Sequence, residues 1–312
     1  MTGHGLKIAC TLLISAVSLP GATYYLTVAG LGGDPDYEQR FAMWAGEIES
    51  VVKAADSDAR IETLKGAAAT RANVRGALEK ISREAKPQDA LVVMLIGHGA
   101  YDGVDYKINL PGPDLSASDL AALLDRVPAV RQLVVNMTSS SGGAMEALRH
   151  PNRIVITSTK TGSERNATVF ARFWVEALRD PAADTDKNET ISALEAFRYA
   201  QRRVAEYYET EKRLATEHAV LEDTGQGAAV RAPAADNNEG LRAAAFPLVR
   251  LGASRSQANN PEKKTLLAKK DQLEQQIDEL KYNKAALAPD EYKKKLAALL
   301  LDLAKTQEEL DK

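Results

Sequence analysis

The stretch Ala90-Leu-Val-Val-Met-Leu-Ile96, closed by Gly97-His98-Gly99, decides the fold. The run is apolar without interruption, so it lacks the alternation of a strand wetted on one face, and it is short for a buried helix. An all-apolar run of strand length suits the centre of a parallel sheet covered on both sides. Leu133–Val135 with its flanks and Ile154–Thr157 repeat the pattern, while Ser118–Arg126 and Gly142–Arg149 read as the helices between them. Strands and helices alternate, and the predicted class is α/β, a sandwich with a parallel-rich central sheet and helices on both faces.

Upstream, Tyr24–Val28 is aromatic and β-branched and runs into Gly30-Leu-Gly-Gly33, a strand followed by a turn. Asp34-Pro35-Asp36 then opens a helix: a capping carboxylate, proline at the first helical position and acids at the positive end of the dipole. Phe41, Trp44, Ala45, Ile48, Val51 and Val52 give it one apolar face, and a second helix starts near Thr70 with Val74, Leu78 and Ile81 inward. Downstream, residues 169–217 read as helix-loop-helix, with Phe170, Phe173, Trp174 and Ala177 on one face and Leu194, Phe197, Gln201, Val204 and Tyr208 on the next. Residues 224–243 carry Gly, Ala and Asn without period and are expected as an exposed loop, with Ala244–Leu251 returning as a strand.

An α/β domain over 23–253 is thus followed by a linker at 254–261 and a Lys-, Glu- and Leu-rich helical hairpin or coiled coil at 262–312. Its first arm has Leu266, Leu273, Ile277, Leu280 and Leu287 on one seam, interrupted by Lys270 and Lys284. Pro289-Asp290-Glu291 starts the second arm, with Tyr292, Leu296, Leu299, Leu303 and Leu310. Arms this short need a surface to fold against: the twin arm, the α/β domain, or a coiled-coil partner or second copy of the chain.

The chain has 312 residues, 45% hydrophobic and 27% charged, with a net charge of −3, enough to bury a sizeable core. No basic block exists to neutralise phosphates, which argues against a nucleic-acid partner. Residues 1–22 place Lys7 before an apolar run from Ile8 to Leu19, then Pro20 and small residues, the pattern of a secretory signal peptide. A membrane anchor would need about 20 apolar residues. The expectation is a periplasmic or secreted chain with no membrane span after cleavage, and without Cys10, its one cysteine, so without disulfides.

Forty-one residues after His98, the strand Leu-Val-Val-Asn136 runs through Met137-Thr138 into Ser139-Ser140-Ser141-Gly142-Gly143. A histidine and a candidate nucleophile at the C-terminal ends of neighbouring parallel strands stand where such sheets place chemistry. Over roughly residues 23–220 this arrangement resembles the caspase/legumain clan of cysteine peptidases, particularly the bacterial legumain-like (C13-type) group, with its strand–His-Gly and strand–Cys-x-Ser-Gly. The resemblance implies a caspase/haemoglobinase-like sandwich. It makes His98 the catalytic histidine, Gly99 the glycine whose N–H helps form the oxyanion hole, and Ser139 the occupant of the cysteine's position.

That last match departs from the family. A thiol ionises at modest cost, with a pKa near ~8.5, and a serine hydroxyl does not. Serine proteases orient a base with a buried acid, and only proximity to His98 favours Asp102 or Asp105 for that role. The competing structural reading has Ser139, Ser140 and Ser141 bonding to backbone in a tight turn, and His98 satisfied by backbone at a strand end. The expected function is a pseudoprotease that takes a peptide or protein ligand in a degenerate cleft, or serves as a scaffold. The alternatives are a hydrolase using Ser139 with His98 as base, and a calcium-stabilised scaffold.

Calcium enters through Asp184-Thr-Asp186-Lys-Asn188-Glu-Thr190-Ile-Ser192-Ala-Leu-Glu195. With Asp184 as position 1, oxygens fall at 1, 3, 5 and 9, a carbonyl at 7 (Thr190) and a bidentate-capable Glu195 at 12, the slots of a helix-loop-helix Ca2+ site. Position 6 holds Glu189 where glycine is usual, and a β-carbon at positive φ there costs about 1 kcal/mol. The competing reading is a helix cap, with Asp184 or Asp186 starting a helix at Ile191. Leu221–Gly227 is acidic and Gly-containing but short of ligands, and is expected as a loop.

Overall fold

The computed structural model describes residues 21–312. Most of the expected signal segment, with Cys10, lies outside the described residues. Gly21 and Ala22 lead into β1 (Thr23–Ala29). α1 (Pro35–Ala55) follows, capped by Asp34, whose carboxylate accepts the N–H groups of Asp36 and Tyr37. Then come β2 (Arg60–Leu64), α2 (Arg71–Glu84) capped by Thr70, and β3 (Ala90–Gly97).

A three-stranded antiparallel sheet rises from the end of β3: β4 (Gly99–Tyr101), β5 (Tyr106–Ile108) and β6 (Leu115–Ser116). α3 (Ala117–Leu124) returns the chain to β7 (Arg131–Thr138), and α4 (Met145–Leu148) leads to β8 (Arg153–Thr157). The rest comprises α5 (Phe170–Ala177), β9 (Thr190–Ser192), α6 (Ala193–Thr210), β10 (Val220–Glu222), α7 (Leu241–Ala244) and β11 (Pro247–Arg250). α8 (Gly252–Ala258), α9 (Lys264–Tyr282) and α10 (Pro289–Leu310) complete the chain.

The central sheet has the order β10-β8-β7-β3-β1-β2. All its pairs are parallel except β10 with β8. Burial on both faces explains the unbroken apolar run of β3. Val92, Met94 and Ile96 join Phe41, Trp44, Phe170, Trp174 and Phe197 under α1, α5 and α6. Leu91, Val93 and Leu95 point the other way, among Val74, Leu78, Leu120 and Leu124 of α2 and α3. This is the parallel-rich sandwich implied by the resemblance.

Three regions are more specific than the expectation. The strand expected within Ala244–Leu251 is β11, Pro247–Arg250, which pairs with β9 in a separate two-stranded sheet. Leu221–Gly227 is not wholly loop, since β10 closes one sheet edge there. Residues 224–240 are mostly loop, running into α7 and anchored by buried acids: Asp223 accepts the Gly240 and Ala243 N–H groups, and Glu239 accepts that of Asp223. Buried N–H groups need acceptors, and these carboxylates supply them.

Much of the expected linker is α8, which buries Ser254 and Gln257. α9 buries Leu267, Lys270, Leu273, Ile277 and Leu280, and packs against α7, α8 and, along its length, α10. Lys270 does not interrupt the seam as a solvated charge. Its stem is buried, and its ammonium donates to the Asn188 carbonyl at 3.1 Å.

Candidate functional site

β3 and β7 are hydrogen-bonded neighbours in register, Ile96 against Met137 and Gly97 against Thr138. His98 and Ser139 therefore leave adjacent strands at the same sheet end. Among the described residues no hydrogen bond joins the two side chains as it would a base and a nucleophile. The His98 ring turns back to α1, edge-on to Tyr37 at 4.7 Å and to Phe41 at 5.3 Å. Burial holds its pKa below the usual histidine value, partly offset by a hydrogen bond to the Gly32 backbone.

Ser139 is committed to Gly99. Its Oγ accepts the Gly99 N–H at 3.0 Å and donates to the Gly99 carbonyl oxygen at 3.0 Å. The N–H that the resemblance assigns to an oxyanion is thus occupied by the serine. Gly99 is required by close approach, since a Cβ there would lie 2.6 Å from the Ser139 carbonyl oxygen and 2.5 Å from the Tyr106 ring. Beneath the turn, the buried Tyr106 hydroxyl bonds to Thr138 Oγ1 and to Asn136 Oδ1, and burial pushes it up to about 12.

The other serines also shape the turn. Ser140 adopts φ +56°, a left-handed conformation that costs a non-glycine residue about 1 kcal/mol or more. Its N–H donates to the Glu164 carbonyl at 2.8 Å. Ser141 Oγ lies 3.1 Å from both Ser158 Oγ and Thr159 Oγ1. Tyr101 of β4 covers the turn, its ring filling the space that side chains at Gly143 and Gly162 would take. Ser139 is 2% exposed.

Asp102 and Asp105 are used locally. Asp102 Oδ1 accepts the Val104 and Asp105 N–H groups, both at 2.9 Å, in the β4–β5 turn. The Asp105 N–H bond, then that of Val104, holds its carboxyl below the usual range. Asp105 Oδ2 takes a long bond from Ser118. Among the described residues no hydrogen bond joins either to His98.

The sequence reading missed a second histidine beside the turn. His218 Nδ1 lies 2.6 Å from Glu164 Oε1, and Glu164 Oε2 accepts the N–H groups of His218 and Lys160. Fifty-four residues separate the pair, so only the folded chain brings them together.

At the other candidate, Asp184, Asp186 and Glu195 each offer an oxygen, all within 4.8 Å of one another. The helix-cap reading fails there, because Ser192 caps α6 in a capping box with Glu195. Glu189 adopts φ +63° at the position where glycine is usual. Its Oε2 accepts the Ser254 N–H at 2.8 Å. Asp184 Oδ2 accepts the Glu189 N–H, Asp186 Oδ1 that of Asn188, and Asn188 Oδ1 that of Thr190. Glu195 Oε1 accepts the Thr185 N–H and hydroxyl, and Oε2 the Ser192 N–H and hydroxyl. Burial, then the Glu195 charge, raises Asp186 to about 6, and burial raises Glu274 of α9 to about 7.

No family model matches the chain, and no curated protein matches it in sequence. Among solved structures it is similar to caspase-1 of Spodoptera frugiperda, at 11% identity and TM-score 0.47 over 67% of this chain and 88% of that one. It is also similar to the Drosophila initiator caspase Dronc, at 10% identity and TM-score 0.47 over 65% and 80%. A protein of Geobacter sulfurreducens matches at 14% identity and TM-score 0.45 over 75% and 100%. Among the described residues no helix is long and apolar enough to cross a membrane.

Proposed function

We propose that this chain is an exported, catalytically impaired caspase/legumain-like protein acting as a binding or scaffold module. One observation carries the reading: the Ser139 hydroxyl, at the position of the family's nucleophile, is buried and bonded to both backbone groups of Gly99. A nucleophile needs a base within about 3.2 Å and room for a carbonyl. Ser139 has Gly99 in place of the base, and its burial leaves no open face for a carbonyl. The inward turn of His98 toward Tyr37 and Phe41 supports the same reading.

A peptide or protein ligand at this sheet end would meet the half-exposed His98 and Tyr101 and the exposed Lys160. The contact would be recognition without turnover. Export rests on the composition of residues 1–22. Assaying the purified chain and its Ser139→Cys variant against a diverse peptide library tests the proposal. Silence from both is the expected result, and turnover that His98→Ala removes would sink it.

A further inference from the structure

Asp184 is 5% exposed, yet its Oδ1 is buried with no hydrogen-bond partner. Leaving a buried carboxylate oxygen unsatisfied is costly, and this one belongs to a cluster. Asp184, Asp186 and Glu195 hold oxygens within 4.8 Å of one another. Asn188, Thr190 and Ser192, oxygen-bearing as well, line the cavity beside them. Nitrogen and sulfur ligands are absent from the cluster, and an all-oxygen set from a flexible loop favours Ca2+ over zinc or other transition metals.

The loop does not stand alone. A cavity of about 230 Å³ beside it is lined by Asp186, Asn188 and Glu195 on one side and by Glu274 and Asp278 of α9 on the other. The Asn188 amide donates to Glu274 Oε2 at 3.3 Å, and Lys270 lies 3.8 Å from Glu274 Oε1 while bonding the Asn188 carbonyl. Water in such a cavity supplies the ligands that protein oxygens leave open, as position 9 of these loops often does.

We infer that Asp184, Asp186, Asn188 and Glu195 form a Ca2+ site whose open side faces Glu274, so that calcium fastens the C-terminal hairpin to the α/β domain. Binding would satisfy Asp184 Oδ1 and would displace the Thr185 donors from Glu195 Oε1. None of these residues belongs to the His98–Ser139 region, so the site stands or falls independently of the proposed loss of catalysis.

The test is calorimetric titration of the chelator-stripped full chain with Ca2+ and, separately, Mg2+, with amide hydrogen exchange of α9 read in each state. The expected result is saturable Ca2+ binding with Kd of order 10⁻⁵–10⁻³ M, little response to Mg2+, and slower exchange in α9. Asp184→Asn should weaken binding about tenfold or more, and the exposed Asp186→Asn serves if that variant misfolds. Glu274→Gln should keep the loop's binding but lose the slowing in α9. No saturable binding by the native chain, equal affinity for Mg2+, or binding indifferent to both loop variants would overturn the site. Slowing in α9 that survives Glu274→Gln would overturn the fastening role.

Discussion

Ser139 and Gly99 exchange hydrogen bonds across the ends of two neighbouring strands, the hydroxyl taking the N–H and giving its proton to the carbonyl, each at 3.0 Å. Removing the hydroxyl leaves both backbone groups of Gly99 without that partner. Ser139→Ala is therefore expected to destabilise the fold by about 1–3 kcal/mol. Urea unfolding followed by circular dichroism checks this, and an unchanged midpoint would show that the pair carries no structural weight.

Tyr101 is expected to govern access to the turn. In a chain carrying Cys10→Ser and Ser139→Cys, the new thiol should react slowly with a maleimide, since labelling requires local opening. Adding Tyr101→Ala should speed labelling about tenfold or more. Fast labelling with Tyr101 intact would mean that the turn is open in solution.

Glu217 makes stability depend on pH. Its carboxyl accepts the Val169 and Phe170 N–H groups at the start of α5 and the Tyr208 hydroxyl. Burial outweighs these donors and raises it from 4.5 to about 7. The folded state holds its proton more tightly than the unfolded one. The contribution is therefore fully present below pH ~4.5 and lost as pH rises through about 7, on the order of 3 kcal/mol in all. Glu239, raised by burial in the same direction, acts with the same sign. Glu217→Gln should flatten the decline in unfolding midpoint across that window, and an unchanged slope would assign the titration elsewhere.

The sheet centre was legible in the sequence because β3, β7 and β8 are buried on both faces, so that β3 reads as one unbroken apolar run and β7 and β8 carry shorter ones at Leu133–Val135 and Ile154–Ile156. α1 was legible because Asp34-Pro35 announces a helix by local chemistry. The edges were not. Arg60–Leu64 alternates weakly on a half-exposed margin, Val220–Glu222 puts an acid inside a three-residue strand, and the β4–β6 sheet consists of strands too short to carry a pattern. Their existence depends on what they pack against.

Site residues divided in the same way. Spacing placed His98 and Ser139 at adjacent strand ends, because the topology alone dictates that. It could not give the direction of the His98 ring, which Tyr37 and Phe41 of α1 set, nor the cover that Tyr101 provides. The loop from Asp184 to Glu195 declared its oxygens by position, whereas Glu274, about 80 residues on, had no local signal linking it to them.

The most direct measurement of the proposed loss of catalysis is peptide-library turnover by the native chain alongside Ser139→Cys and His98→Ala. The expected result is no hydrolysis by any of the three, since a thiol at position 139 would still be buried with His98 turned toward Tyr37 and Phe41 of α1. Hydrolysis by the native chain that disappears in His98→Ala would contradict it and make Ser139 a working nucleophile.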